Sequence, residues 1–62
     1  MKFRELLRRL EADGWRPKAQ HGSHRQYKHP VKPGKVTVAG HPSVEVPKGT
    51  LRAILRQAGL DE

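Results

Sequence analysis

Three of the four histidines in this 62-residue sequence fall within QHGSHRQYKHP, residues 20 to 30. His24 directly follows Gly22-Ser23, a pair that marks a tight turn. An imidazole with a pKa of about 6.5 can take or give a proton near neutral pH. Alternation along a strand from His24 to His29 places His24, Gln26 and Lys28 on one face and Arg25, Tyr27 and His29 on the other. Tyr27 is the large residue expected to face inward, which leaves His24 and Lys28 on an open face beside Arg16 and Lys18 of the preceding strand. Gly22 and Ser23 add exposed backbone amides and a hydroxyl, groups that can hold a phosphate. A histidine beside phosphate-binding cations has the parts for metal-free RNA cleavage. The 2′-hydroxyl must lose a proton, the 5′-oxygen must gain one, and Lys or Arg can stabilise the charge building on phosphorus. The candidate cations are Lys18, Arg25 and Lys28. The same stretch also fits a polar turn with no chemistry, because one histidine in a turn is a weak signal.

Other chemistries are poorly supplied. His21-x-x-His24, with His29 and His41, suggests a metal site only superficially, since zinc sites use three or four ligands with supporting groups. There is no cysteine, and Glu45 is the one carboxylate in the middle of the chain. Neither a metal nor a cofactor is expected. Ser23 has no evident acid partner, and no Gly-x-Ser-x-Gly elbow, P-loop or dinucleotide-binding glycine pattern occurs. His41-Pro42 repeats the dipeptide His29-Pro30, and both read as strand-end devices. Lys48, Arg52 and Arg56, along or just before the last helix, read as a solvated charged face.

The elements that must position these residues follow from periodicity. Phe3, Leu6, Leu7 and Leu10 form the stripe of an amphipathic helix over about residues 2–13. Gly14 suits a left-handed helix end, with Trp15 folding back onto Leu10. Three short strands follow, expected over 15–20, 24–29 and 35–39. Pro17, which lacks an amide donor, argues for an edge position. The turn between the first two strands is centred on His21-Gly22-Ser23, and Pro30 and Pro33-Gly34 punctuate the next gap. Leu51, Ile54, Leu55 and Ala58 give a second helix, ended by Gly59 with Leu60 against Leu55. Its start is left between Pro47 as first helical residue and Thr50 as cap.

The resulting order is α-β-β-β-α, an antiparallel three-stranded sheet with both helices on one face, hence a two-layer α+β fold. Double-stranded-RNA-binding domains share it, though fold alone fixes no function. Length allows one domain, residues 1–62, and a chain this short buries only about 60% of its unfolded surface. Thirteen Lys and Arg against six Asp and Glu give a net charge of +7, which points to a polyanion such as RNA or to an acidic protein partner. Nothing approaches a membrane span or a signal peptide, and the absence of cysteine fits a reducing interior. A soluble cytoplasmic protein is expected.

Four segments, LLRRLEADGW, GSHRQYKHP, VTVAGH and PKGTLRAILRQAGL, together resemble the HicA toxins, small mRNA interferases of HicAB toxin–antitoxin systems. The resemblance covers nearly the whole chain. It implies a fold like that of double-stranded-RNA-binding domains and a metal-independent endoribonuclease that cleaves mRNA. It implies a catalytic histidine in the Gly-Ser-His motif, here His24, and a HicB-type antitoxin that masks it. Two positions depart from the family pattern. Ala19 stands where an Arg is common, which puts one RNA contact in question, and Val38-Ala39 replaces a common Val-Pro. The second proton-transfer group stays open among His29, His41, Lys28 and water. The competing reading is a non-catalytic RNA-binding domain of the same fold.

Overall fold

The computed structural model describes residues 1–60. Its elements are α1 (Phe3–Asp13), β1 (Arg16–His21), β2 (His24–Lys28), β3 (Lys35–Ala39) and α2 (Lys48–Gln57). The strands form one antiparallel sheet in the order β1-β2-β3, so Pro17 does lie on an edge strand. The α-β-β-β-α order is that read from the sequence.

Both helices end as their glycines require. Gly14 has φ +110°, and the Trp15 amide donates to the Leu10 carbonyl at 3.0 Å while the Gly14 amide donates to Glu11 at 3.1 Å. This is the paired hydrogen-bond pattern of a Schellman end, and it turns Trp15 into the core, where it is fully buried. The same pattern ends α2, with Leu60 donating to Leu55 at 2.8 Å and Gly59 to Arg56 at 3.1 Å.

The helix starts are less regular. The Pro47 carbonyl accepts the first α2 hydrogen bond, from the Leu51 amide at 2.8 Å, so Pro47 is the cap and Lys48 the first helical residue. Thr50 lies within the first turn and caps nothing. At α1, the Glu5 carboxylate accepts from the Lys2 amide at 3.0 Å, which holds the Glu5 pKa below its ordinary value. The Phe3 and Arg4 amides have no partner within the helix. They donate to the carbonyls of Val44 and Pro42, each at 3.0 Å, and the Val46 amide returns a bond to Met1 at 2.9 Å. The loop between β3 and α2 thus completes the beginning of α1.

Phe3, Leu6 and Leu10 of α1, Ile54 and Ala58 of α2, Val36 and Val38 of β3, and Tyr27, Trp15 and Val46 form the core. Leu7, Leu51, Leu55 and Leu60 pack around it, partly buried. Burial of Val36 and Val38 fixes the inner face of the sheet. Their register partners Tyr27 and Arg25 share that face. His24, Gln26 and Lys28 are left on the outer face with Ala39, Thr37 and Lys35 opposite them.

Two features of β1 differ from the sequence expectation. The turn consists of two residues, Gly22 and Ser23, so His21 belongs to the strand and pairs with His24. A bulge at Lys18 interrupts the pairing: Pro17 lies opposite Tyr27, whereas Ala19 lies opposite Gln26. One extra residue reverses the alternation beyond it. Ala19, rather than Lys18, therefore stands in the outer-face row beside Gln26.

Candidate functional site

Gly22 has φ +60° and no non-glycine residue among those described has positive φ, so the connection between β1 and β2 has the signs of a type II′ hairpin turn. That turn matches the twist of the two strands and demands glycine at its first central position. A Cβ on Gly22 would meet nothing within 4 Å. The requirement is thus for the backbone conformation, and the space above the turn is open. The Gln20 side chain donates to the Gly22 carbonyl at 3.0 Å, and the Gly40 amide reaches the Ser23 carbonyl at 3.4 Å. These contacts steady the turn from its flanks. The amides of Gly22 and Ser23 themselves bond no described group.

His24 opens β2 directly after this turn and is exposed. Among the described residues nothing hydrogen-bonds its ring. Lys28 lies on the same face, four residues or about 13 Å along the strand. It is directly opposite Lys35 of β3. Directly opposed like charges in a sheet are unfavourable, and neither lysine has an ion-pair partner among the described residues. Arg16 also lies opposite Lys28, but its guanidinium turns back to the Glu11 and Trp15 carbonyls at 2.9 and 3.0 Å and so helps close the end of α1.

Of the other sequence candidates, Lys18 is exposed in the bulge, out of register with the outer-face rows. Arg25 faces the helix side beside Val38, and its guanidinium approaches the Gly40 carbonyl at 3.4 Å. The structure thus groups His24 with Lys28 and the Gly22-Ser23 turn, and it sets Arg25 apart from them. His21 joins the group, as the cross-strand partner of His24. Lys35 joins the cationic end. Sequence alternation could have found Lys35, given the β2–β3 register.

His29 is placed quite differently. Its Nδ1 accepts from the amides of Val31 and Lys32, both at 3.0 Å. The ring proton must then be on Nε2, which donates to the Asp13 carbonyl at 2.8 Å. The ring meets Trp15 edge-on, with centroids 5.2 Å apart. A Cβ on Gly14 would stand 2.7 Å from Nε2, so Gly14 is needed for this approach as well as for its φ. Beside it, the Lys32 ammonium bridges the Asp13 carboxylate at 2.6 Å and the Ala58 carbonyl at 3.0 Å. The Lys32 hydrogen bond is the main reason the Asp13 carboxyl is held below its ordinary value. With both ring nitrogens engaged in the fold, His29 has none left for a substrate.

His41 lies just past β3. The amide and hydroxyl of Ser43 lie 3.2 and 2.8 Å from its Nδ1. Its other nitrogen has no partner among the described residues.

The family model described as "HicA toxin of bacterial toxin-antitoxin" matches residues 3–60, a span that contains all five elements. No curated protein matches the chain. No helix among the described residues is long and apolar enough to cross a membrane.

Proposed function

The chain belongs to the HicA toxins of bacterial toxin–antitoxin systems, and from that premise we propose that it is an endoribonuclease that cleaves mRNA without a metal ion and so blocks translation. Family membership supports a toxin role exercised on RNA. The observation that carries the finer reading is the His24 ring, without a partner among the described residues, beside the Gly22 and Ser23 amides that bond no described group, on the face where Lys28 and Lys35 oppose each other. Two lysines set side by side lose their mutual repulsion when a phosphate chain lies across them.

In this reading the turn amides and the Ser23 hydroxyl hold the scissile phosphate, and His24 acts on it as general base or acid. Lys28 and Lys18 hold flanking phosphates. Arg25, on the helix side of the central strand with its guanidinium near the Gly40 carbonyl, would meet RNA only outside this cluster. A HicB-type antitoxin of acidic surface would cover the same face and mask His24. Attack by the 2′-hydroxyl leaves a cyclic phosphate and a 5′-hydroxyl.

The test is cleavage of RNA by the purified chain in EDTA, beside His24→Ala, with the new ends identified. Wild-type cleavage with 5′-hydroxyl ends is expected, and its loss in His24→Ala should be about 10²- to 10⁴-fold or more. Equal behaviour of the two proteins, with RNA bound but intact, would instead establish a binding domain with no catalytic role.

A further inference from the structure

In-line attack on a phosphodiester needs two proton transfers on opposite sides of the phosphorus, and one histidine supplies only one at a time. His29 is excluded by its own hydrogen bonds. Resting on the nuclease reading above, we propose that His21 is the second proton-transfer group and that His21 and His24 act as a pair across the hairpin.

Three observations carry this. The residues are direct register partners that close a two-residue turn. Directly opposed residues stand on the same face with Cβ atoms about 4.5–5.5 Å apart, so two imidazoles rise on either side of the turn mouth. Both side chains are exposed, and neither ring is hydrogen-bonded within the described residues. The phosphate they would flank is the one the Gly22 and Ser23 amides can hold.

The step balances with one imidazole neutral and the other protonated. The neutral ring takes the proton of the 2′-hydroxyl as the O2′–P bond forms. The P–O5′ bond breaks, and the imidazolium gives its proton to O5′. The two rings end with exchanged protonation and reset through solvent. The charged and titratable groups around the pair are few. His41 lies beyond the end of β3, and Lys18 occupies the bulge of β1. Arg25 is on the opposite face, and Lys28, Lys35 and Arg16 stand at the far end of the sheet. Neither helix packs on the outer face, where Ala39 and Ala19 are the nearest strand neighbours.

The experiment measures kcat/KM against pH for the wild type, His21→Ala, His21→Gln and His24→Ala. Each protein is tested on ordinary RNA and on RNA whose bridging 5′-oxygen at the cleaved position is sulfur. Sulfur leaves without a proton, so it removes the need for the acid. A bell-shaped wild-type profile is expected, with a loss in both His21 variants of about 10²-fold or more and the disappearance of one limb. Only one of His21→Ala and His24→Ala should recover on the sulfur substrate, and that one identifies the acid. Unchanged RNA affinity and thermal unfolding would separate chemistry from folding, since a structural role for His21 moves neither the pH limbs nor the sulfur rescue. Wild-type rate and both limbs in the His21 variants would overturn the pairing and leave the nuclease reading intact. An inactive wild type would overturn both.

Discussion

Lys32 shows how much one side chain can hold in a small core. Its ammonium joins Asp13 at the end of α1 to Ala58 at the end of α2, and its amide shares the His29 Nδ1 with that of Val31. The Asp13 carboxyl is lowered chiefly by the Lys32 hydrogen bond, against a smaller opposing effect of desolvation. A carboxyl more acidic in the folded state stabilises the fold above its unfolded value, ordinarily 3.8. That contribution falls away as pH drops through this value toward the lower folded one. Acid unfolding followed by circular dichroism should therefore show Asp13→Asn less stable than the wild type at neutral pH, with the difference narrowing below about pH 4. A constant difference across that range would mean that Asp13 acts through shape alone. Residue type alone does not reveal this cluster. In the sequence His29 reads as a spare proton carrier because the acceptor of its Nε2, the Asp13 carbonyl, lies well back along the chain and only the closed end of α1 brings it near.

At the scale of elements, glycines record where backbones must pass closely. Gly40 directly follows β3 with φ +155°, and a Cβ there would stand 2.4 Å from the Phe3 ring. Gly40→Ala should destabilise the fold by about 1–3 kcal/mol through overpacking, measurable as a lowered denaturation midpoint with an unchanged m-value. A neutral result would show that Phe3 can retreat without cost. The helix ends were legible because Gly14 and Gly59 each follow an apolar stripe, and β3 was legible because Val36 and Val38 alternate cleanly with Thr37. The phase of β1 was not, because the bulge at Lys18 leaves no mark in residue type. The start of α2 was obscured by Thr50, a good capping residue that lies inside the helix. For the site, the outward position of His24 followed from Tyr27 facing the core. The pairing with His21 could not be read, because the sequence placed His21 in the turn with Gly22 and Ser23, whereas the strand runs on through it.

For the whole molecule, charge outweighs any single side chain. A net charge of +7 on 62 residues favours encounter with polyanions and strains the free protein. Lys28 and Lys35 concentrate that strain at one end of the outer face. RNA binding should weaken steeply with salt. Replacing both lysines by Gln should reduce the slope of log K against log salt by about 0.7 for each single-strand phosphate that is no longer neutralised. An unchanged slope would remove these lysines from the RNA track. His24→Ala, at the other end of the face, should leave that slope nearly as it was.

The dependence of α1 on the loop before α2 has a consequence for the order of events during synthesis. The amides of Phe3 and Arg4 find their acceptors in Val44 and Pro42, about forty residues later in the chain. At roughly 5–20 residues per second, the first helix waits a few seconds on the ribosome before its opening turn can be secured. Long-range closure of this kind also slows the search for the native state. The opening turn of α1 is thus made well before the groups that fix it, and it joins the fold only when the loop ahead of α2 has closed on it.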